Sequence, residues 1–585
     1  MCGIAGISCL PGFKPSEEAL EKMSQALFHR GPDGGGRFDS SSAALRHRRL
    51  SIVDIEGGAQ PFLYQNGALV ANGEIYNDPE IREQFSDSSF SSHSDCEPPL
   101  HLMLKDGVGY THALRGMYAI AALKDEKEQH ELLLSRDPFG IKPLYFAHYD
   151  EGIAFASEAQ ALLVAGFGQR EVRAQARNEL LQLQFTVGQE TIFPGIRRLL
   201  PGETIRIVNG KIVENYRRKA TSEAKKFVGP MSDQQALQEL DKALLDSVHA
   251  HLRADVPRGL FLSGGIDSSA ILVAGHKLGL THPRTWTARF DAGSNDETEA
   301  AAALAASVGA EHHVFTITEQ MVWDNLPAIV ACMDDPVADY AIIPTWLLAR
   351  EARKAVTVIL SGEGGDELFA GYGRYRRALK PWWKGGRKTW KTGTFGATFP
   401  KKERQWREGL ARKGFSQKTS RLNAVQALDI EEWLPNDLLL KLDRCLMAHS
   451  LEGRTPLLDP VIAKAVWSLP DQFKIRGKYG KWLLRQWLAL NAPHSNPFAE
   501  KKGFTVPIGV WIEKKAAQLA PFVARHPSLK GVMTEQDITQ VFERASQRRY
   551  GRQAWSLLFY VLWFRHHVEG VPVEGDTFDV LSCAV

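Results

Sequence analysis

The feature that most constrains the fold of this chain is a change in hydrophobic pattern a little beyond residue 205. Before it the apolar runs are short and mostly separated by turn residues, as in GALVANGEIYN and HELLLSRDP, and helix-like stretches are few. From residue 233 helical periods alternate with strand-like runs, beginning with DQQALQELDKALLDSVHAHL and RGLFL. The first pattern predicts an antiparallel, β-rich α+β domain, and the second predicts an α/β domain with a doubly wound parallel sheet.

The length of the chain agrees with this division, because 585 residues exceed what one hydrophobic core usually holds. The basic, polar segment NYRRKATSEAKKFVGPMSD has no clear apolar period, and it predicts a linker between about residues 206 and 232. We therefore expect domains over residues 1–215 and 233–585, the second being mainly helical beyond about residue 420.

Charge and cysteine content exclude several classes of protein. A net charge of +3 creates no field that would concentrate nucleic acid or anionic membrane, so neither partner is predicted. The six cysteines contain no C-x-x-C pair, which argues against a zinc site or a disulfide scaffold and favours a reducing compartment. The N-terminus lacks the pattern of a signal peptide and no stretch is apolar enough to span a bilayer, so we expect a cytoplasmic protein.

The N-terminal sequence MCGIAGISCL places a thiol at position 2. If the initiator methionine is removed, Cys2 carries both a thiol and an α-amine, which together can act as nucleophile and base. The alternative is that Cys2 is a small buried residue at the start of the first strand.

The segment FLSGGIDSSAIL, residues 261–272, is typical of a strand, a tight loop and the start of a helix. Gly264 and Gly265 allow close approach of a ligand, and the serines and free N–H groups of the helix start can bind phosphate. No G-K-[ST] follows, so this is not a Walker loop. Asp267 would repel a bare phosphate but suits a Mg²⁺ ion held between carboxylate and phosphate.

A second acidic loop, LSGEGGDELFAGY at residues 360–372, follows the strand-like run AVTVIL. The two loops should lie at the same edge of the sheet, which would place Asp267 and Asp366 around one metal ion. The alternative is that both are ordinary glycine-rich connections. Lys481 lies in RGKYGKWLLRQ where a helix begins, and by itself it could be a solvated surface lysine.

These motifs lead to a resemblance that covers nearly the whole chain. MCGIAGI, RGPDGGG, HRRLSIVD, NGEIYN, SDCE and RDPFGIKPLYF resemble a class II glutamine amidotransferase domain. SGGIDSS resembles the pyrophosphate loop of N-type ATP pyrophosphatases, and with SGEGGDE, LEGRTPLLD and GKYGKWLLR it resembles an asparagine synthetase domain. The resemblance implies an N-terminal nucleophile αββα sandwich, followed by an ATP-pyrophosphatase domain with a parallel sheet and a helical C-terminal part.

In the first domain the resemblance implies that Cys2 attacks the side-chain amide of glutamine, with its own α-amine accepting the proton. Asn72 and Gly73 match the family's oxyanion hole, which uses one side-chain amide and one backbone N–H. The glycines of RGPDGGG, and Gly73 itself, are equally suited to backbone turns.

The same resemblance implies a glutamine-binding pocket around these residues. Arg49 is suited to the glutamine carboxylate as a planar bidentate donor, and Glu74 and Asp95 are suited to its ammonium group. The remaining members of the predicted pocket are Leu50, Ser51, Ile52, Val53, Asn72 and Gly73.

In the second domain the resemblance implies that ATP and a carboxylate give an acyl-adenylate and pyrophosphate, and that ammonia then forms the amide. Asp267 and Asp366 would hold Mg²⁺, Glu363 would take part in forming or using the adenylate, and Lys481 would stabilise charge at the α-phosphate. The predicted ATP-binding residues are Phe261, Leu262, Ser263, Gly264, Gly265, Asp267, Ser268, Ala288, Ser361 and Gly362. A buried passage for ammonia between the domains is also implied, and a homodimer is left open.

Three stretches depart from the family pattern or fall outside it. Pro98 and Pro99 stand where a helix would normally continue from Asp95. Asp335 and Tyr340 replace a glutamate and a small residue near the expected acceptor side. The basic segment 373–391, with three tryptophans, could contact nucleic acid or membrane, although a surface excursion packed by its own aromatic residues is favoured.

The sequence therefore predicts a glutamine-hydrolysing enzyme of the asparagine synthetase family with glutamine, aspartate and ATP as substrates. One alternative is an amidotransferase of the same build that acts on a different carboxylate acceptor. A binding or regulatory protein with an inactive site is a second alternative, and the presence of Cys2, Asp267 and Lys481 argues against it.

Overall fold

The computed structural model describes residues 2–85, 90–126, 129–222, 231–291, 296–380, 383, 393–395, 420–499 and 506–584. In the N-terminal part the strands are β1 (Gly3–Cys9), β2 (Gly34–Asp39), β3 (Ala43–Arg49), β4 (Phe62–Tyr64), β5 (Gly67–Ile75), β6 (Gly116–Asp125), β7 (His130–Arg136), β8 (Tyr145–Tyr149), β9 (Gly152–Ala156), β10 (Ile196–Arg198), β11 (Glu203–Val208) and β12 (Lys211–Arg217). The α-helices of this part are Glu17–Ala26, Asp78–Glu83, Pro98–Asp106, Ala159–Val164 and Ala174–Leu183.

These strands form two antiparallel sheets that pack face to face. The first has the order β10-β8-β9-β1-β3-β2 and the second the order β12-β11-β7-β6-β5-β4. Ile4 and Leu45 of the first sheet share one buried cluster with Val70 and Leu134 of the second. Helices Glu17–Ala26 and Ala159–Val164 pack on the first sheet and Pro98–Asp106 packs on the second. The result is the predicted αββα sandwich.

The predicted linker is wrong over its first half. β11 and β12 pair as a hairpin and extend the second sheet as far as Arg217. Ile205 and Ile207 are buried on the core face, while Arg206 points away and pairs with Glu131 at 2.7 Å. This alternation of one residue in and one out is the two-residue period of a strand. Residues 223–230 lie outside the described part of the chain.

The second part of the chain contains a parallel sheet. Its strands are β13 (Arg258–Phe261), β14 (Arg284–Phe290), β15 (Glu311–Ile317), β16 (Val358–Leu360) and β17 (Glu452–Arg454), and a short antiparallel pair follows with β18 (Ile475–Arg476) and β19 (Tyr479–Gly480). The order β15-β14-β13-β16-β17 places later strands on both sides of β13. The order in which strands are added to the sheet therefore reverses between β13 and β16. Such a switch point is where doubly wound sheets bind ligands.

Helices cover both faces of this sheet and make up most of the C-terminal part. Their bounds are Asp233–His251, Ile266–Lys277, Asp296–Ser307, Glu319–Ala331, Ile342–Arg353, Gly365–Leu368, Gly373–Leu379, Arg421–Leu428, Leu439–Met447, Pro460–Val466, Asp471–Lys474, Trp482–Asn491, Ile508–Lys514, Ala516–Ala524, Glu535–Glu543, Arg548–His567 and Thr577–Ser582, with a π-helix over Asp429–Leu438. The predicted fold class is confirmed in both parts. Among the described residues, no helix has the length and apolar character needed to cross a membrane.

Buried ion pairs join the two parts. Arg198 of β10 donates to both carboxylate oxygens of Asp335, at 2.5 and 2.6 Å, and neither side chain is appreciably exposed. Arg30 forms a bidentate pair with Asp443 as well, with hydrogen bonds of 2.8 and 3.1 Å. Removing one member of such a pair would leave a buried charge without its partner. These contacts therefore hold the two halves in a defined relative position.

Candidate active site

Cys2 lies immediately before β1, at a point where the two sheets of the first domain approach each other. Its backbone N–H donates to Asn72 Oδ1 of β5 at 3.1 Å, and its Sγ lies 3.9 Å from the carbonyl of Leu50. Burial raises the pKa of the Cys2 thiol. A thiol in this position needs a nearby base to become a nucleophile, which agrees with the predicted role of the α-amine.

Asn72 offers the clearest sign of a binding function in this region. The hydrogen bond from the Cys2 N–H uses the Oδ1 atom of the Asn72 amide. Its Nδ2 group is buried and has no hydrogen-bond partner among the described residues. A buried donor without a partner is costly unless a ligand uses it. Gly73 follows in the same strand, where a Cβ atom would lie 2.1 Å from the carbonyl oxygen of Met117. A side chain at position 73 is therefore excluded by close strand packing.

The segment after β3 lies beside Cys2. Arg49 donates to the carbonyl groups of Asp54 and Ile55 at 2.6 and 3.0 Å, which holds the 50–55 loop in a curve. Leu50 and Ile52 are buried, Ser51 donates its N–H to Asp33 at 2.9 Å, and Val53 is half-buried. The predicted glutamine-binding residues are thus brought together, although part of the Arg49 guanidinium is engaged by its own loop.

Two buried carboxylates complete this region. Glu74 and Asp95 are 4% and 2% exposed, and each raises the pKa of its neighbours by its charge. Burial raises the pKa of Asp95 to about 6, although its Oδ2 accepts the N–H of Ile75 at 2.6 Å. Burial and the charge of Asp95 also raise the pKa of Glu74. An arriving ammonium group would relieve this accumulation of negative charge.

Glu74 also has a partner that the sequence did not suggest. Arg454 of β17 in the second domain reaches Glu74 Oε1 at 2.9 Å and Glu452 Oε1 at 2.6 Å. The motif LEGRTPLLD contains this arginine, but only the folded chain brings it against the first domain. Glu74, predicted to bind the glutamine ammonium group, is therefore in direct contact with β17, the edge strand of the parallel sheet.

The glycine-rich loop after β13 has the geometry of a phosphate-binding loop. Ser263 N–H donates to Ser268 Oγ at 3.2 Å, and the Gly265 N–H donates to Ser263 Oγ at 3.3 Å. Gly264 has a positive φ of 70°, a conformation that favours glycine. No side chain caps the helix Ile266–Lys277 that follows, so its first N–H groups are available for an anion.

The other predicted nucleotide-binding residues surround this loop. Leu262 is buried and donates its N–H to the carbonyl of Trp286 at 2.9 Å, while Phe261 and Ala288 are half-buried on neighbouring strands. Ser361 and Gly362 follow β16, and a Cβ at Gly362 would lie 2.8 Å from Cβ of Asp267. The two loops therefore touch at the switch point of the sheet, as the sequence predicted.

Asp267 and Asp366 do converge, and a lysine lies between them. Lys481 Nζ contacts Asp267 Oδ2 and lies 2.7 Å from Asp366 Oδ1. Lys481 is 4% exposed, so the reading of a solvated surface lysine is wrong. Lys481 directly follows the β18–β19 hairpin, and the fold places it between the two acidic loops. The local hydrophobic period around residue 481 could not reveal this position.

One glycine that the sequence reasoning missed makes this contact feasible. A Cβ at Gly371 would lie 1.8 Å from Asp366 Oδ1 and 2.2 Å from Cε of Lys481. A Cβ at Gly365 would lie 2.3 Å from Asp267 Oδ1. The glycines of GGDELFAGY therefore leave room for the two carboxylates and the lysine. These glycines were the sequence feature that could have indicated the close approach.

The carboxylate pair fits a Mg²⁺ ion. The two aspartates already attract one cation, the Lys481 ammonium group, and Mg²⁺ usually takes one or two carboxylates together with phosphate oxygens. In the part of the chain that the structure describes, no cluster of three or more His, Cys, Asp or Glu side chains suits a metal.

Glu363 lies beside this cluster and faces a second lysine. Lys441 Nζ lies 4.0 Å from Glu363 and 3.1 Å from Asp339 Oδ2. Burial raises the pKa of Glu363, with Lys441 acting in the opposite direction. Lys441 was missed at the sequence level because it lies in a helix with no motif around it.

The departures from the family pattern are resolved by the structure. Pro98 and Pro99 occupy the first turn of the helix Pro98–Asp106, where proline needs no N–H partner, so the helix simply begins there. Asp335 belongs to the interdomain pair with Arg198, and Tyr340 packs against a hydrophobic core. The predicted effect of Asp335 on the acceptor side is therefore not supported. The basic segment 373–391 has residues 381, 382 and 384–391 outside the described part of the chain.

A nucleophile site joined to a nucleotide site defines the class of protein, an ATP-dependent enzyme with a glutamine amidotransferase domain. Residues 239–566 match the asparagine synthase family and residues 1–217 match the glutamine amidotransferase domain family. The chain belongs to the asparagine synthase family, which confirms the predicted resemblance.

Individual relatives span most of the chain. Asparagine synthetase [glutamine-hydrolyzing] 1 of Bacillus subtilis is 32% identical over 97% of this chain and 97% of its own length. Asparagine synthetase B [glutamine-hydrolyzing] of Escherichia coli is 27% identical over 88% of this chain and 84% of its own length. A protein of Penicillium rubens named amidase chyE is 31% identical over 65% of this chain and 60% of its own length.

Proposed function

We propose that this protein converts glutamine, aspartate and ATP into asparagine, glutamate, AMP and pyrophosphate. The observation that carries the proposal is the contact between the two sites, because Glu74 beside Cys2 is paired with Arg454 of the synthetase sheet. This pair places the predicted glutamine pocket directly against β17 of the second domain. Family membership and the long relatives from Bacillus subtilis and Escherichia coli support the same reaction.

In the first half-reaction Cys2 acts after removal of Met1. Its α-amine accepts the thiol proton, and the thiolate attacks the side-chain carbonyl carbon of glutamine. The developing oxyanion accepts hydrogen bonds from Asn72 Nδ2 and the Gly73 N–H, while the glutamine ammonium group lies against Glu74 and Asp95. Ammonia leaves, and water hydrolyses the resulting thioester to glutamate.

In the second half-reaction the side-chain carboxylate of aspartate attacks the α-phosphorus of ATP. Pyrophosphate leaves along the loop of Ser263, Gly264 and Ser268, where backbone N–H and hydroxyl groups stabilise it. Ammonia then attacks the acyl-adenylate, with Glu363 placed to accept a proton and Lys481 to stabilise charge at the α-phosphate. AMP is the leaving group of this step.

Asp267 and Asp366 would hold the Mg²⁺ ion that accompanies ATP. When bound, the ion neutralises the phosphate charge that these carboxylates would otherwise repel. Lys481 balances the carboxylates in the protein alone, and nucleotide binding would free it to face the α-phosphate.

The decisive experiment incubates the purified protein with glutamine, Mg-ATP and aspartate, and follows the products by mass spectrometry. We expect asparagine and AMP in equal amounts, with glutamate at least equal to them. Omitting aspartate is the matched control and should remove AMP and asparagine. If glutamate forms without AMP when aspartate is present, aspartate is not the acceptor.

A second candidate keeps the same two sites and changes the acceptor. The similarity to a protein of Penicillium rubens named amidase chyE, rather than asparagine synthetase, supports this alternative. Replacing aspartate by a panel of carboxylates in the same assay, with AMP release as the readout, distinguishes the two. A homodimer, a cytoplasmic location and the domain limits 1–215 and 233–585 remain predictions.

A further inference from the structure

Strand β17 of the second domain brings a buried carboxylate close to the N-terminus. Asn72 and Glu74 are alternate residues of β5, so their side chains lie on the same face of that strand. Asn72 Oδ1 accepts the backbone N–H of Cys2 at 3.1 Å, and Glu74 Oε1 lies 2.9 Å from Arg454. Arg454 also holds Glu452 Oε1 at 2.6 Å. The Glu452 carboxylate, which is 1% exposed, therefore lies on the side of β5 where Cys2 binds.

The electrostatics agree with this placement of Glu452. Burial by itself would raise the pKa of Glu452, but the N-terminal ammonium group, followed by Arg454 and Lys142, lowers it to about 2. Burial is the main cause of the raised pKa of the Cys2 thiol, and the charge of Glu452 adds to it. Burial raises the pKa of Glu74 well above its ordinary value. Of these two carboxyl groups, Glu452 is thus the one that stays ionised near neutral pH.

The other titratable and charged groups near the N-terminus are neutral or have partners of their own. Arg30 is paired with a buried aspartate, and Arg49 is bound by the carbonyl groups of its own loop. Lys142 donates to a backbone carbonyl of β17 at 3.2 Å. Burial lowers the pKa of His47 to about 3, so its imidazole is neutral. The Glu452 carboxylate is therefore placed to balance a positive charge on the N-terminal amine.

We propose that Glu452 is a positioning residue for the nucleophile at Cys2, supplied to the first domain by the second. When the α-amine of Cys2 accepts the thiol proton, an ammonium group forms, and a nearby carboxylate stabilises its charge. The same attraction strengthens the amine as a base and fixes its orientation, while Arg454 holds the carboxylate in place. This inference rests on the proposed hydrolysis of glutamine at Cys2.

The test measures the pKa of the Cys2 α-amine in the full-length protein. Competitive labelling with acetic anhydride over a range of pH is followed by mass spectrometry of the N-terminal peptide, after the intact mass has established that Met1 is removed. In the wild type we expect a pKa above the ordinary range of about 7.7–8.0. In E452Q we expect a pKa at least about one pH unit lower, because the buried negative charge that favours the protonated amine is lost.

The pH dependence of glutamine hydrolysis is the second readout. Because kcat/KM requires the free amine, its rise with pH should move to lower pH by about one unit in E452Q. The kcat at high pH should fall at least about tenfold, since the ammonium group that forms is less stabilised. Formation of AMP with added ammonia should continue, and E452D, which keeps the carboxylate, should lie between E452Q and the wild type.

D459N is the matched control, because Asp459 is another buried carboxylate of the second domain that is paired with an arginine of the first, Arg115, at 3.0 Å. It should leave the amine pKa and the pH profile unchanged, and an equal shift in D459N would overturn the inference. So would equal amine pKa values in E452Q and the wild type, or a wild-type value of about 8 or less, which decides even if E452Q does not fold. Each of these results leaves glutamine hydrolysis at Cys2 standing. Retention of Met1, or no glutamine hydrolysis by the wild type, would overturn the proposed function as well.

Discussion

The two halves of the active centre hold their pairs of carboxylates in different ways. Glu74 and Asp95 in the first domain are buried, and burial raises the pKa of both. Of this pair, Glu74 is bound at 2.9 Å by Arg454 of the second domain. Asp267 and Asp366 in the second domain are partly exposed, and both contact the ammonium group of Lys481, which lies 2.7 Å from Asp366.

We propose that this difference follows from the ligand that each pair receives. Glutamine brings its own ammonium group, which would stabilise the ionised form of the buried Asp95 carboxyl. ATP brings negative charge, and carboxylates without a cation would repel it. A lysine that contacts both carboxylates would therefore prepare the second site for an anion.

The strongest test of the separation between the halves is Cys2→Ala. It removes the nucleophile, so we expect glutamine-dependent asparagine formation to fall by more than about a thousandfold. Synthesis from added ammonia should continue, because the second site is unchanged. Both rates are measured by AMP release, and loss of both together would contradict separate sites.

The carboxylate pair of the second domain is tested by Lys481→Met, which keeps the length of the side chain and removes its charge. We expect the rate of AMP formation to fall by about a hundred- to a thousandfold, because two carboxylates without a cation are left to repel the nucleotide. Glutamine hydrolysis should be retained. Lys478→Met, at an exposed lysine three positions earlier, is the matched control. Equal loss in both variants would remove the special role of Lys481.

The contact between the halves is tested by Asp335→Asn. Arg198 would lose its buried partner, and we expect the free energy of unfolding in urea to fall by about 3–5 kcal/mol. The KM for aspartate should stay the same, since Asp335 faces the other domain rather than an acceptor. Asp150→Asn at an exposed turn should change the free energy of unfolding by less than about 0.5 kcal/mol. A raised KM with unchanged stability would restore Asp335 to the acceptor side.

The smallest expected effect concerns pH. The pKa of Asp95 is raised to about 6, so Asp95 stabilises the folded state in acid, and this contribution is lost as the pH rises through about 6. Binding of the glutamine ammonium needs the ionised form and has the opposite dependence. We expect the KM for glutamine to be roughly tenfold higher at pH 5 than at pH 7. The KM for ATP is the internal control, and a flat KM for glutamine would show that Asp95 does not bind the ammonium.

The two halves also differed in how far the sequence could predict them. The loops around Asp267 and Asp366 were predicted to meet because both follow strands of one parallel sheet, whose carboxyl ends share an edge. Lys481, Arg454 and Lys441 could not be placed in this way, since each reaches its partner from an element distant in sequence. The linker was predicted to begin at about residue 206, but the hairpin of β11 and β12 extends the second sheet to Arg217, because strand pairing depends on a partner strand and not on local composition.

What the sequence by itself determined was the set of chemical groups: a thiol at position 2, an amide at Asn72, and two acidic loops after buried strands. Local patterns suffice for these because strands, turns and helix starts depend on neighbouring residues. Only the tertiary structure decided which charges meet. Ion pairs such as Glu74–Arg454 and Asp366–Lys481 join residues far apart in the chain, and their energies depend on burial that no local pattern specifies.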